Sequence, residues 1–254
     1  MPKTQVNGID LYYEVHGDGP TIVFAHGAGG NHLSWWQQVP VFAREYRCVT
    51  FDHRGFGQSL EMPNGPGSQA FVDDLHQLLD HLKIELVTLV AQSMGGRTCL
   101  GFTLAHPDRV QALVMADTPG GFADTRMAQL RAEGEVVMAG PNPPPRTYAR
   151  HFPVEQPAQA FLYEQIRALN PPRHEVPGAG PTAEEVRALR VPTLLIVGEH
   201  DVIAPPTIMK MFQGYIPHAR LVEVAGAGHS VYFEKPEAFN RNVLEFLKDV
   251  VAPS

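Results

Sequence analysis

An α/β architecture, with a mostly parallel central sheet of about eight strands flanked by helices, follows from three features of this 254-residue chain. The first is a set of short runs rich in β-branched residues and apolar at nearly every position: Thr21–Ala25, Cys48–Phe51, Leu86–Ala91, Ala112–Ala116 and Thr193–Val197. Strands buried on both faces read this way. The second is helical spacing in the segments between them. Ser68–Leu82 places Phe71, Val72, Leu75, Leu78, Leu79 and Leu82 on one stripe, and Gly96–Ala105, Pro206–Tyr215 and Glu237–Val250 repeat the pattern. The third is their order, since a βαβα alternation requires right-handed crossovers that put helices on both faces of the sheet.

The sheet is expected to start antiparallel, because Thr4–Val6 and Ile9–Val15 are split by Asn7-Gly8, a hairpin signal. Between Pro119 and Arg190 the rhythm breaks. No buried strand is legible there, and twelve of the 23 prolines fall between Pro119 and Pro192. Helical pieces are expected at Thr125–Met138 and Pro157–Ala168. A structureless loop of that length is rare inside a compact domain, and Thr193 resumes the sheet pattern, so the segment reads as an inserted lid. The expected organisation is one core domain in two parts, 1–118 and 191–254, with a helical cap at 119–190.

Twenty Lys and Arg against 27 Asp and Glu give a formal charge of −7, without a basic run. That balance argues against nucleic acid and against a membrane surface as partners. No apolar stretch approaches the roughly 20 residues that span a bilayer, and the first residues run straight into strand-like alternation, so a cytoplasmic protein is expected. Cys48 and Cys99 cannot build a disulfide framework and read as buried reduced thiols. Twelve histidines raise the question of a metal, but no H-E-x-x-H or close ligand cluster occurs; neither metal nor cofactor is expected. Monomer and homo-oligomer are equally compatible with the sequence.

The chemistry lies at strand ends. The strand Leu86–Ala91 runs into Gln92-Ser93-Met94-Gly95-Gly96 and then a helix, placing Ser93 on a sharp turn at a helix N-terminus. Taken alone, such a serine is more often a helix cap than a nucleophile. Its hydroxyl becomes nucleophilic only beside a base. Downstream, Thr193–Val197 leads into Gly198-Glu199-His200-Asp201, and Leu221–Val224 leads into Ala225-Gly226-Ala227-Gly228-His229. The order is Ser93, Asp201, His229.

On these residues the chain resembles the α/β-hydrolase fold superfamily, as a small serine esterase or lactonase-like member with a Ser-Met-Gly-Gly elbow. The resemblance extends from the first hairpin to the last helix. It includes His26-Gly27-Ala28-Gly29-Gly30 after the third strand and the segment from Asp52 to Ser59 after the fourth. One position departs, since Ala91 stands where the family's G-x-S-x-G has its first glycine.

The resemblance implies Ser93 as nucleophile, His229 as base and Asp201 as its orienting acid, with the backbone N–H groups of Ala28 and Met94 as the oxyanion hole. Asp117 is the alternative position for the acid, and Glu199 is a nearby carboxylate. His26 reads as a brace of the oxyanion loop, and Asp52 and Arg54 as turn and ion-pair residues. Arg97 meets an anionic substrate group or is a surface arginine. Trp35, Trp36, Phe122, Met127, Met138 and Phe161 are candidates for an apolar pocket beneath the lid. The expected partner is a small carboxylic ester or lactone, cleaved through an acyl-enzyme on Ser93. Alternatives on the same scaffold are a carbon–carbon bond hydrolase of the meta-cleavage type, a cofactor-free haloperoxidase or perhydrolase, and a small-molecule receptor that retains the triad. A serine at the elbow argues against the halogenated-alkane and epoxide hydrolases, which use aspartate there.

Overall fold

Strands β1 (Lys3–Val6) and β2 (Ile9–His16) form the expected hairpin, with Asn7 and Gly8 at φ of 42° and 81°. Two successive left-handed residues match the twist of the strands they join. The computed structural model describes residues 2–141, 143–172 and 179–251. Its further strands are β3 (Thr21–Ala25), β4 (Arg47–Phe51), β5 (Val87–Gln92), β6 (Val110–Ala116), β7 (Thr193–Gly198) and β8 (Arg220–Val224). All eight join one sheet in the order β1-β2-β4-β3-β5-β6-β7-β8. The pairs β1/β2 and β2/β4 are antiparallel, and the others are parallel.

The helices are α1 (Val39–Phe42), α2 (Phe71–His81), α3 (Gly95–Ala105), α4 (Thr125–Met138), α5 (Phe152–Glu155), α6 (Pro157–Ala168), α7 (Ala183–Ala188), α8 (Pro206–Gln213), α9 (Val231–Glu234) and α10 (Pro236–Val250). Four of them, α4 to α7, lie between β6 and β7, where the cap was expected. Residues 142 and 173–178 of that stretch, like 252–254 at the chain end, fall outside the described residues.

Side chains alternate across the sheet. Val23 and Ala25 of β3, Leu89 and Ala91 of β5, and Leu195 and Val197 of β7 face one apolar core, shared with α2, α3 and α8. Ile22, Phe24, Val90, Leu194 and Ile196 face the other, shared with α10. The β6–β7 segment feeds both: Met127 of α4 and Val186 of α7 enter the first core, while Phe152, Tyr163 and Ile166 of α5 and α6 enter the second. Ala91 is fully buried in the first. Cys48 and Cys99 are both buried, and burial pushes the Cys48 thiol up to about 12.

One charge sits deep in the β4–α2 corner. Arg54 is fully buried and grips Asp74 through two parallel hydrogen bonds, Nε to Oδ2 at 2.6 Å and Nη2 to Oδ1 at 2.7 Å, with Glu61 at 3.1 Å. Deleting one partner of such a pair strands a buried charge. Asp74→Ala is therefore expected to lower unfolding stability by about 3 kcal/mol in urea titration, leaving Glu61 as the remaining counter-charge.

The strand order reverses around β3, which runs on to β4 on one side while β5 lies on the other. In open α/β sheets such a switch point leaves a crevice outside the carboxyl ends of the strands. Ala25↔Ala91 are in register, so the chain leaving β3 emerges beside the chain leaving β5. The glycine-rich segment His26–Gly30 and Ser93 are neighbours for this reason.

Candidate active site

Ser93 occupies the turn between β5 and α3 with φ of 48°, a conformation that strains any residue with a Cβ. The turn is held by the Ser93 N–H donating to Ala116 C=O at 3.0 Å and the Gly96 N–H donating to Ser93 C=O at 2.9 Å. It closes only because of small neighbours. A Cβ on Gly95 would lie 2.2 Å from the Ala25 carbonyl oxygen, and one on Gly96 would lie 2.4 Å from Thr118 Cγ2.

The three residues singled out from the sequence come together. His229 Nε2 lies 2.8 Å from Ser93 Oγ, and His229 Nδ1 lies 2.9 Å from both carboxylate oxygens of Asp201. Asp201 Oδ1 also accepts the N–H groups of Ile203 at 2.8 Å and Ala204 at 3.0 Å, which fix the carboxylate. An ionised carboxylate only accepts, so the imidazole proton sits on Nδ1 and leaves Nε2 to accept the serine hydroxyl. Burial alone would depress the basicity of His229. The charge and hydrogen bond of Asp201, with Asp117 and Glu234 behind them, outweigh it and hold the imidazole above its ordinary value.

Asp117 has a different place. Its oxygens accept the Gly198 N–H at 3.1 Å and the Val231 N–H at 3.2 Å, tying β7 to the loop after His229. Burial foremost, then the charge of Asp201, pushes its carboxyl well above the usual carboxylate range. Glu199 is turned to the backbone, accepting the Gly226 N–H at 2.9 Å.

Ala28, Met94, Ser93 and His229 all border one cavity of about 1400 Å³. The Met94 N–H, at the start of α3, makes no hydrogen bond among the described residues. The loop bearing Ala28 is braced as expected: His26 Nε2 accepts the His53 N–H at 3.0 Å, so Nδ1 donates to Gly27 C=O at 2.8 Å. Asp52 likewise organises turns, accepting N–H groups from His32 and Gln58.

None of the six aromatic and methionine residues expected in the pocket borders this cavity. Trp35 is fully buried on the opposite core, against Phe24, Tyr232 and Phe239. Phe122 packs tilted against Phe212 and edge-on against Tyr215, and Met127 is fully buried in the same core. Trp36 and Phe161 are 42% and 67% exposed on the outer surface, and Met138 is half-buried at the end of α4. Each of these side chains goes where its element finds packing partners, which composition does not specify. The apolar walls are mostly aliphatic, from Val72, Leu104, Leu130, Leu189, Ile203 and Ile208, with Phe71 and Met94 beside them.

Other residues around this arrangement carry little or no sequence signal. Gln92 donates through Nε2 to His229 C=O at 2.7 Å, linking the elbow to the histidine loop. Glu234 accepts the N–H groups of Gly228 and Ser230, on either side of His229, and of Ala149 from the β6–β7 segment, at 2.9, 3.2 and 2.8 Å. Burial pushes its carboxyl above the ordinary glutamate value against the pull of those amides. Arg97 is on the cavity wall, and Arg131 of α4 joins it there. Among the described residues no group of three or more His, Cys, Asp or Glu is arranged to hold a metal ion, and no helix is long and apolar enough to cross a membrane.

Residues 20–139 and 147–236 match the family model described as the alpha/beta hydrolase fold. The chain belongs to that family. Among alpha/beta hydrolase relatives it is 31% identical to BpoC of Mycobacterium tuberculosis, which carries the name of a non-heme bromoperoxidase, over 96% of this chain and 100% of the relative. Among solved structures it is similar to a thermophilic esterase from Thermogutta terrifontis with malate bound. That likeness has 26% identity and a TM-score of 0.81, covering 99% of this chain and 100% of the esterase. It is also similar to the enol-lactonase of Burkholderia xenovorans LB400, at 25% identity and a TM-score of 0.79, covering 97% and 100%.

Proposed function

We propose that the protein is a serine hydrolase that cleaves a small carboxylic ester or lactone through an acyl-enzyme on Ser93. The observation that carries this reading is the continuous contact from Ser93 Oγ to His229 to Asp201, opening on the cavity. Ser93 Oγ attacks the carbonyl carbon while His229 Nε2 takes the hydroxyl proton. The electron pair of the C=O bond moves to oxygen, where the N–H groups of Met94 and Ala28 hold it. Collapse expels the alcohol, which receives the proton from His229. Water then attacks the acyl-enzyme by the same route and frees the acid and Ser93. The buried Asp201 holds the imidazole tautomer and stabilises the imidazolium.

The segment between β6 and β7, in this reading, is a cap that selects the acyl group. The esterase and enol-lactonase neighbours support the class of bond. Likeness to BpoC favours a second fate of the same intermediate, in which hydrogen peroxide replaces water and releases a peracid that oxidises halide.

The test is a series of p-nitrophenyl esters of increasing acyl length, a small lactone set, and a fluorophosphonate probe followed by peptide mass mapping. Turnover with a burst of one p-nitrophenolate per chain, and a label on Ser93, are expected. Absence of both burst and label overturns the serine mechanism.

A further inference from the structure

The glycine-rich loop after β3 has few side chains with which to hold itself. Gly27, Gly29 and Gly30 carry none, so the place of the Ala28 N–H depends on what grips the loop backbone. The loop runs against the elbow, since a Cβ on Gly27 would lie 3.1 Å from Ser93 Cβ. One grip comes from the core, through His26, whose ring joins the Gly27 carbonyl to the His53 N–H. A second comes from the segment between β6 and β7. Asn170, two residues beyond the end of α6, donates through Nδ2 to the carbonyls of Gly30 at 3.1 Å and Gly29 at 3.4 Å, and its Oδ1 accepts the Gly57 N–H at 3.0 Å. These partners fix which end of the amide is which, because carbonyls need the NH₂ and an N–H needs the oxygen.

Each side of this clamp is itself held. Gly57 belongs to a turn organised by Asp52, whose carboxylate accepts the N–H of Gln58 at 2.8 Å and of His32 at 2.7 Å. Tyr163 and Ile166 seat α6 in the core shared with α10. Asn31, at the end of the glycine-rich loop, returns a hydrogen bond from its Nδ2 to Ile166 C=O at 3.0 Å. Loop and helix thus exchange side-chain amides, each satisfying carbonyls on the other that are costly to leave unpaired. Pro171 and Pro172 stiffen the chain just past Asn170.

We propose that Asn170 is a positioning residue for oxyanion stabilisation, holding the loop after β3 so that the Ala28 N–H meets the carbonyl oxygen of the substrate. This rests on the serine-hydrolase reading. The expected effect belongs to one kind of state along the reaction. An oxyanion exists in the tetrahedral intermediates of both acylation and deacylation, and not in the bound ester. Loosening the loop therefore slows both steps together, which lowers kcat and leaves KM nearly unchanged. Loss of a merely structural contact acts on KM or on unfolding instead.

The experiment measures kcat and KM on the p-nitrophenyl ester that wild type cleaves fastest, inhibition by a trifluoromethyl ketone of the same chain length, fluorophosphonate labelling and thermal unfolding. Asn170→Ala removes the donors and the acceptor. Asn170→Asp keeps the size and the acceptor for Gly57 but turns an oxygen that only accepts toward the two carbonyls. Arg167→Ala, an exposed change three residues earlier on α6, is the control. In both Asn170 variants kcat is expected to fall by about tenfold or more, toward the roughly 10²–10³ that a whole oxyanion donor is worth, with KM within about threefold of wild type. The ketone forms its own oxyanion when Ser93 Oγ adds to its carbonyl carbon and His229 takes the proton, so its affinity should fall in the same proportion. Arg167→Ala should match wild type. A wild-type kcat in Asn170→Asp, or a loss carried by KM with ketone binding intact, overturns the positioning role while a label on Ser93 keeps the hydrolase reading. Should Asn170→Ala fail to fold, the isosteric Asp variant decides by the same criteria. Wild type without label or turnover overturns both.

Discussion

Ser93→Ala is expected to lower ester turnover by about 10⁶-fold while leaving the thermal unfolding midpoint close to that of wild type. Alanine keeps the Cβ, so the turn at φ of 48° carries the same strain, and the hydrogen bonds that hold the turn are made by backbone atoms of residues 93, 96 and 116. What disappears is the hydroxyl that lies 2.8 Å from His229 Nε2. Residual catalysis would come from binding and from the Met94 and Ala28 amides. Parallel measurement of p-nitrophenyl ester hydrolysis and melting by circular dichroism checks both halves. A variant within tenfold of wild type in kcat would remove Ser93 from the mechanism, whereas loss of melting cooperativity would show that the hydroxyl supports the fold.

The second large effect falls on Asp201. In Asp201→Asn, the amides of Ile203 and Ala204 still require an acceptor at the Oδ1 position, and they select the carbonyl oxygen of the new amide for it. Its NH₂ group then occupies the Oδ2 position and donates to His229 Nδ1. The imidazole must carry its proton on Nε2, facing Ser93 Oγ with a donor where an acceptor is needed. A fall in kcat of about 10⁴-fold is expected. The pH profile supplies an independent sign. If His229 is the base it works when neutral, and the upward shift of its pKa is expected to move the acid limb of kcat/KM to higher pH than an unperturbed histidine would give. Removing the charge and hydrogen bond of Asp201 removes the main influence that raises it, so the acid limb of the residual activity moves to lower pH. An unshifted limb with activity near wild type would transfer the orienting role to another carboxylate. Asp117 is placed poorly for it, since both its oxygens accept backbone amides.

How much of this was legible in the sequence differs by level. The sheet was, because a strand buried on both faces leaves a run such as TLLIV that has no polar alternative reading. The helices at Thr125–Met138 and Pro157–Ala168 appear at the expected residues, α4 and α6. Ser93, Asp201 and His229 were legible for a related reason: each stands just past the carboxyl end of a strand or in the loop that follows it, so the topology alone gathers them. The pocket was not. Composition cannot say which face of a cap helix looks inward, and α4 has no clear apolar stripe to orient it. Phe122 left the cavity for Phe212 and Tyr215, contacts between residues 90 positions apart, while Arg131, an unremarkable surface arginine by pattern, took a place on the wall. Glu234 was silent because its partners are backbone amides, which leave no trace in side-chain spacing.

Glu234 also divides the segment connecting β6 to β7 into two regions with different freedom to change. Ala149 is stitched through it to the residues flanking His229, and a Cβ on Gly228 would collide with the Ala149 nitrogen at 2.3 Å. A substitution near Tyr148–Phe152 is therefore expected to disturb His229 along with the segment around Ala149. Helix α4 is joined to that stretch by an exposed ion pair, Glu135 to Arg146, and packs on α8 with Leu130 and Arg131 on the cavity wall. Divergence toward new acyl groups can thus proceed by exchange of residues on α4 while the proton-transfer machinery is inherited intact, and a library confined to α4 should yield altered preference far more often than inactive protein.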